Sequence, residues 1–308
     1  MSTEIITTTL VKNKRNRRSN DVLAVLDRQI LNALSACWPQ SVRHIFYKMT
    51  DPGLAVPVPK SDHGAGNGYA VVQRRMSQMR VNGSLPYSWV TDYTRRGFHV
   101  KTYGSATEFL RRTAGLYRAD AWKLADSYVE VWCESRSVAG VIENLCYELG
   151  VSLYPSGGFS SLTLVFNCAE YIKEKLAETG KSVNVIYIGD YDPAGVLIDK
   201  DIERKLRSHL GVGADLTFHR VGINQAQVRE FNLPTKPRKP GDRRSLHVEE
   251  AVEAEAMPAE ILLRLLREKI ETFMPENALR VAKAAEDSEK QLLRIFARAF
   301  EEGGSASS

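Results

Sequence analysis

A strand pattern that runs into an acidic loop is the most informative stretch of this sequence: Val183-Asn184-Val185-Ile186-Tyr187-Ile188, then Gly189-Asp190-Tyr191-Asp192-Pro193-Ala194-Gly195. The β-branched and aromatic residues predict a buried strand. The glycines and the proline behind them predict a tight turn into a helix. In such a turn the carboxylates of Asp190 and Asp192 can converge while Tyr191 points away.

The sequence on both sides of this stretch alternates between strand and helix patterns. Strands are predicted at 129–133, 151–154, 183–188 and 216–221, and helices at 137–149, 160–178 and 194–210. Alternation with short connections is typical of a parallel sheet covered by helices on both faces. Two more helices, at 258–273 and 277–300, follow a loop rich in proline and arginine. The predicted fold class is therefore α/β for this half of the chain.

Acidic residues follow two of the predicted strands. Glu134 comes after the first strand, and Asp190 and Asp192 come after the third. Ligands of open α/β sheets bind beyond the carboxyl ends of the strands. Three carboxylates at that edge would form a hard oxygen site suited to Mg²⁺. The alternative is that Asp192 and Glu134 only cap the helices that follow them.

The first third of the chain has a different pattern. Helices are predicted at 21–36, 41–49 and 69–81, with a turn at Asn82-Gly83. Three short helices followed by a turn segment resemble a helix-turn-helix or winged-helix module. Basic residues in the third helix and just after it are candidate contacts to DNA phosphates: Arg74, Arg75, Arg80, Arg95 and Arg96.

Composition limits the class of protein. The net charge is 42 − 37 = +5, and 43% of the 308 residues are hydrophobic, which is enough for a substantial core. No stretch approaches the roughly 18 apolar residues that span a bilayer, and the N-terminus lacks the apolar segment of a signal peptide. The four cysteines form no CxxC pair, so neither a zinc knuckle nor a disulfide framework is indicated. A cytoplasmic protein is expected, associated with the nucleoid if the host is bacterial.

The strand-end acids resemble those of the Toprim domain of topoisomerases, primases and some nucleases. The matching stretches are Val131-Trp132-Cys133-Glu134-Ser135 and the loop that contains Asp190 and Asp192. Toprim domains hold magnesium at these positions near the scissile phosphate. The resemblance thus implies Mg²⁺ on Glu134, Asp190 and Asp192, and no other cofactor.

A second motif resembles the nucleophile motif of the topoisomerase VI A subunit and its meiotic break-forming relatives: Ser41-Val42-Arg43-His44-Ile45-Phe46-Tyr47. Those proteins join a winged-helix domain with a catalytic tyrosine to a C-terminal Toprim domain. The match makes Arg43 and Tyr47 the catalytic residues. His44 stands where an aspartate is common in that family. The late segment 252–258 also resembles a family stretch, so the likeness covers about 21–270.

The pattern of the sequence divides the chain into five segments: a flexible basic arm at 1–20, a helical domain at 21–102, a connector at 103–127, an α/β domain with C-terminal helices at 128–302, and a disordered tail at 303–308. The resemblance implies that 21–102 is a winged-helix-like DNA-binding domain and that 128–302 is a Toprim domain. It further implies a homodimer on double-stranded DNA, in which Tyr47 of one chain works near the Toprim site of the other. A separate ATPase subunit is a possible partner, and nothing in this chain resembles it. Membrane association is not expected.

Three functions remain open at this stage. In the first, Tyr47 attacks a DNA phosphate and forms a 5′-phosphotyrosyl link, as in a type IIB topoisomerase A subunit. In the second, Tyr47 is structural and the Toprim site is a nuclease that uses water. In the third, the protein binds DNA without cutting it.

Overall fold

The computed structural model describes residues 19–61, 66–91, 100–160, 162–211, 213–238 and 244–305, with side chains described up to 300. Of the predicted calls, Arg95, Arg96 and almost all of the basic arm lie outside these ranges. Among the described helices, none combines the length and the apolar character needed to cross a bilayer.

Three helices form the N-terminal bundle: α1 (Asn20–Ala36), α2 (Val42–Met49) and α3 (Gly68–Val81). Each matches a predicted helix to within one residue at either end. Ser19, Ser41 and Asn67 cap them by accepting hydrogen bonds from backbone amides of the first turn. Within 19–61 and 66–91 the only strand-like pairing is a single bridge between Gln40 and Val90. The three-helix core is therefore established, whereas a wing stays a prediction.

A short connector leads into the second half. Helix α4 (Ala106–Thr113) is capped by Ser105, whose hydroxyl accepts from the Glu108 amide at 3.0 Å. The sequence predicts this cap from its Ser-x-x-Glu pattern. Helix α4 packs on the last helix of the chain rather than on the sheet.

The second half contains a four-stranded parallel sheet with strand order β2-β1-β3-β4. The strands are β1 (Ser127–Cys133), β2 (Ser152–Pro155), β3 (Ser182–Ile188) and β4 (Leu216–Gly222). The crossover helices are α5 (Arg136–Leu149), α6 (Leu162–Thr179) and α7 (Gly195–Leu210). The predicted α/β class and parallel sheet are confirmed.

After the sheet the chain adds α8 (Gln225–Glu230), a small antiparallel pair of β5 (Lys236–Pro237) and β6 (Glu250–Ala251), then α9 (Ala259–Glu271) and α10 (Ala278–Ser305). The predicted disordered tail starts too early, because α10 continues through the first three of its residues. Residues 306–308 lie outside the described ranges.

Two apolar clusters cover the two faces of the sheet. One, around Val185, Tyr187 and Ile202, lies under α6 and α7. The other lies under α5 and α9 and continues without a break into the N-terminal bundle, through Leu26, Ile45 and Phe46. Because these helices share one core with the sheet, α2 is held against the second half of the same chain.

Candidate active site

The strand order places two predicted acids side by side. Strands β1 and β3 are neighbours, so Glu134 and Asp190 leave the sheet at the same edge. The backbone amide of Asp190 donates a hydrogen bond to Oε2 of Glu134 at 3.2 Å. The sequence predicts that these two residues meet at this edge of the sheet. Their binding of a metal stays a prediction.

Asp192 lies in the same loop and has a structural task. Its Oδ1 accepts hydrogen bonds from the amides of Ala194 at 2.9 Å and Gly195 at 2.6 Å, at the start of α7. This is the capping role that the sequence leaves open as the alternative. It occupies only one carboxylate oxygen, so it does not exclude a second role for Asp192.

The loop around Asp190 is closely packed. A Cβ atom at Gly195 would lie 2.2 Å from the carbonyl oxygen of Asp190. A side chain at this position would therefore push the loop off the start of α7. This contact explains why the predicted turn needs glycine there.

Arg220 on β4 holds the backbone of this loop, and sequence reasoning missed it. Its guanidinium donates to the carbonyl oxygens of Asp190 at 2.5 Å, Gly189 at 3.2 Å and Gly195 at 3.1 Å. It also forms an ion pair with Asp199 of α7 at 2.8 Å. The only sequence signal is an arginine near the end of a strand in a parallel sheet, where a charge requires partners.

A late segment completes the site. The Ala254 amide donates to Oδ1 of Asp190 at 2.9 Å, and Tyr191 pairs with Val252 through two backbone hydrogen bonds. These contacts bring Glu253 and Glu255 to the acidic loop. The sequence assigns this segment no site residue, because about 60 residues separate it from Asp190.

Glu255 is tied to the other strand end. Its Oε1 accepts hydrogen bonds from the hydroxyls of Ser135, at 2.7 Å, and Ser137. Both serines follow Glu134 at the start of α5. Acids from three parts of the chain therefore meet at one edge of the sheet.

The charges at this edge repel each other. The pKa of Asp190 is raised well above its ordinary value, first by burial and then by the carboxylates of Glu134 and Glu255. Burial also raises the pKa of Glu134, with a further contribution from Asp192. A bound cation would relieve this repulsion.

The donor set has the chemistry that magnesium requires. Glu134, Asp190 and Asp192 each accept backbone hydrogen bonds through one oxygen, and the other oxygen accepts none from the described residues. Across the ranges that the structure describes, however, no group of three or more His, Cys, Asp or Glu side chains is arranged so that it could hold a metal ion as it stands. The three side chains fit Mg²⁺ by type, and binding would require their free oxygens to turn toward a common point.

Tyr47 lies under the late segment and not at the surface of the N-terminal bundle. Its side chain is 7% exposed and packs on Phe46, with ring centroids 5.1 Å apart. The Lys236 ammonium lies 5.9 Å from the centroid of its ring. The hydroxyl is buried and forms no hydrogen bond with a described residue.

The electrostatic surroundings keep this phenol protonated. Burial raises the pKa of Tyr47, and the nearby Glu253 carboxylate raises it further. Glu253 and Glu255 affect the pKa values of both Tyr47 and Asp190. Tyr47 therefore lies beside the acid cluster of its own chain.

Arg43 also contacts the late segment. Its guanidinium forms a two-pronged ion pair with the Glu253 carboxylate and lies 5.4 Å from the centroid of the Tyr69 ring. Burial acts to raise the pKa of Glu253, but hydrogen bonds from Arg43 and Lys236 outweigh it, so that pKa lies below its ordinary value. The resemblance implies that Arg43 is a catalytic residue together with Tyr47. In the structure its guanidinium is already paired with the Glu253 carboxylate.

A cleft of about 1040 Å³ runs beside Tyr47. Its walls come mainly from α1 and α2 on one side and from residues 228–235 and 250–258 on the other. His44 lines it, and Nδ1 of this residue is 2.9 Å from Oγ of Ser41. Burial lowers the pKa of His44 to about 4, so its ring is neutral near neutral pH.

The predicted DNA contacts of α3 are not equivalent. Arg75 forms an ion pair with Asp27 of α1, with Nε 2.8 Å from Oδ1. Arg80 lies over the Tyr87 ring at 5.6 Å and donates to the Met76 carbonyl. Arg74 is exposed and pairs with no carboxylate among the described residues, so it is the most available of the three.

Comparison with protein-family models, with curated proteins and with solved structures finds no match to this chain. The functional assignment therefore depends on the site itself.

Proposed function

We propose that this protein is a magnesium-dependent DNA strand transesterase that resembles the topoisomerase VI A subunit, with Tyr47 as the nucleophile. The observation that carries the proposal is the hydrogen bond from the Asp190 amide to Glu134 at the edge of the sheet, next to carboxylates that also border Tyr47. Strand-end acids and a tyrosine in one neighbourhood are what phosphodiester chemistry of this kind requires.

The reaction exchanges one phosphodiester for another. Oη of Tyr47 bonds to a backbone phosphorus, and the bond from that phosphorus to the 3′-oxygen breaks. The phenol loses a proton and the 3′-oxygen gains one, so a 3′-hydroxyl and a 5′-phosphotyrosyl link result without oxidation. Glu134, Asp190 and Asp192 would hold the metal, which supplies charge neutralisation at the phosphate and the leaving oxygen.

The remaining parts of the proposal concern partners. Each chain has one such tyrosine, so a double-strand break requires two chains, and a homodimer on double-stranded DNA is proposed. Arg74 would contact phosphates without reading sequence. A separate ATPase subunit stays a possible partner for strand passage.

Cleavage of a labelled duplex in the presence of Mg²⁺ tests the metal part of the proposal. Asp190→Asn and Glu134→Gln each remove a charge from the predicted ligand set, so cleavage should fall by about a hundredfold or more. Asp287→Asn is the matched control, because Asp287 is exposed on α10, away from the sheet edge. Unchanged cleavage in Asp190→Asn would contradict the proposal.

A nuclease that uses water is the second candidate, and the burial of Tyr47 favours it. A phenol that is 7% exposed, with a raised pKa, must be uncovered before it can attack DNA. The two candidates leave different products, since a nuclease releases a free 5′ end and a transesterase leaves the protein on it. Absence of any Mg²⁺-dependent cleavage would favour the third possibility, a DNA-binding protein without catalysis.

A further inference from the structure

Ion pairs lie on both sides of the tyrosine along the chain. Helix α2 carries Arg43 one turn before Tyr47 and Lys48 directly after it. Arg43 pairs with Glu253, while Lys48 Nζ lies 3.0 Å and 3.1 Å from the two carboxylate oxygens of Glu260 on α9. Both acids lie in the stretch 253–260. Helix α2 is therefore bound to this stretch through a residue on either side of Tyr47.

Lys236 adds a third link. Its ammonium is 3.0 Å from Oε1 of Glu253 and lies over the Tyr47 ring. Glu253 thus joins a cation of α2 to a cation of β5, above the aromatic ring. These ion pairs therefore lie directly beside Tyr47, whose side chain is 7% exposed.

The links differ in strength. The side chains of Arg43 and Glu253 are both about three-quarters buried, and their ion pair is bidentate. This geometry favours a strong interaction. The Lys48–Glu260 pair is more exposed, with Glu260 at 52%, and so contributes less. Glu253 therefore contributes more than Glu260 to holding α2 against the late part of the chain.

The cations of this contact are also the groups that a DNA backbone would bind. Arg43, Lys48 and Lys236 present three positive charges around Tyr47, each facing a carboxylate of its own chain. Phosphates can replace carboxylates as their partners, because guanidinium and ammonium groups bind both kinds of anion. An exchange of partners would free the late segment and uncover the tyrosine.

From these observations we propose that Glu253 and Glu260 form an autoinhibitory clasp that keeps Tyr47 covered until the backbone of DNA takes over their cations. Control of catalysis by this clasp rests on the function proposed above. The clasp itself is a statement about the accessibility of Tyr47 and can be tested without cleavage.

Two modifications of Tyr47, each mapped by mass spectrometry on the peptide that contains it, measure this accessibility in the full-length protein: nitration by tetranitromethane, which attacks the phenolate and so depends also on the pKa, and oxidation by hydroxyl radicals, which does not need the phenolate. Glu253→Gln should raise both nitration and oxidation of Tyr47 at least about fivefold, because it removes the charge that pairs with Arg43 and Lys236. Glu268→Gln is the matched control: Glu268 forms an ion pair with Arg264 within α9 and does not touch α2. Equal nitration in wild type and Glu253→Gln would overturn the clasp.

A charge exchange keeps the test valid if Glu253→Gln fails to fold. Lys48→Glu and Glu260→Lys each place like charges opposite one another, so each should raise nitration about two- to fivefold. The double variant restores opposite charges and should return to the wild-type level. Single variants without effect, or a double variant that remains as reactive as the singles, would contradict a role for this pair.

Short duplex DNA, added without Mg²⁺, tests the second half of the proposal. It should raise nitration of Tyr47 in the wild-type protein, and have little further effect in Glu253→Gln. Nitration that stays constant or falls in the wild type would overturn opening by DNA. If nitration follows the clasp but Tyr47→Phe still cuts DNA, the clasp holds and the transesterase function fails, so the two failures are distinguishable.

Discussion

A buried glutamate in the middle of β1 links the pH of the solution to the stability of the fold. Glu130 is fully buried and accepts hydrogen bonds from Tyr128 Oη and Trp132 Nε1, both at 2.9 Å. Burial outweighs these bonds and raises its pKa from 4.5 to about 7. Between pH 4.5 and about 7, Glu130 is therefore protonated in the folded state and ionised in the unfolded state.

This difference in bound protons determines how the free energy of unfolding changes with pH. Because the pKa of Glu130 is raised on folding, the free energy of unfolding falls as the pH rises from about 4.5 to about 7, by about 3 kcal/mol for this group. Glu130→Gln can accept from Trp132 and donate to Tyr128, so it should be more stable than wild type at about pH 8 and similar at about pH 5. Urea unfolding at both pH values measures this, with the exposed Glu170→Gln as control. An equal pH dependence in wild type and Glu130→Gln would contradict the account.

Arg220 offers a second prediction at the scale of single residues. Arg220→Met leaves three carbonyl oxygens of the acidic loop without their donor and leaves Asp199 without its ion-pair partner. We expect the free energy of unfolding to fall by about 3 kcal/mol. Adding Asp199→Asn should recover part of that loss, since it removes the unpaired charge. A double variant no more stable than Arg220→Met would show that the ion pair is not the main contribution.

At the scale of elements, the turn into α7 depends on a glycine. Gly195→Ala places a Cβ 2.2 Å from the Asp190 carbonyl oxygen, so the loop must move. We expect a loss of about 2 kcal/mol in unfolding free energy, together with reduced cleavage, because the loop carries two predicted metal ligands. Gly115→Ala is the control, since a Cβ there meets nothing within 4 Å. Thermal unfolding of both variants measures the difference, and equal melting temperatures would count against the close contact.

The elements themselves could largely be predicted from the sequence. Strand β3 and helix α5 follow from apolar periodicity and from the terminating Gly150, which adopts a left-handed conformation. The meeting of Glu134 and Asp190 follows from adjacent parallel strands. These features depend on local patterns and on a general rule about sheet edges.

The rest of the site could not be predicted because it depends on contacts between distant parts of the chain. Glu253 and Glu255 reach the acidic loop through a two-residue backbone pairing that has no sequence pattern of its own. The burial of Tyr47 depends on the same late segment. The pattern of α2 predicts a helix correctly, but it carries no signal for the distant segment that packs on this helix.

At the scale of the whole molecule, the net charge of +5 and the exposed arginine on α3 predict salt-sensitive DNA binding. The slope of log affinity against log salt is negative. Arg74→Ala should make it less steep by about 1, because it removes one phosphate contact. Arg75→Ala should change the slope less, since Arg75 is already paired with Asp27. Titrations at several salt concentrations measure both slopes. The reverse order would contradict the assignment of Arg74 as the contact.

A covalent link between protein and DNA is the product that distinguishes attack by Tyr47 from attack by water. Wild-type protein, Tyr47→Phe and the control Tyr69→Phe are incubated with labelled duplex and Mg²⁺, denatured, and analysed for adducts by mass spectrometry. The Tyr47 hydroxyl forms no hydrogen bond with a described residue, so Tyr47→Phe should keep its folded stability to within about 1 kcal/mol. We expect an adduct on the Tyr47 peptide in wild type and in Tyr69→Phe, and neither adduct nor cleavage in Tyr47→Phe. Normal cleavage by Tyr47→Phe, with free 5′ ends, would contradict it and establish a nuclease instead.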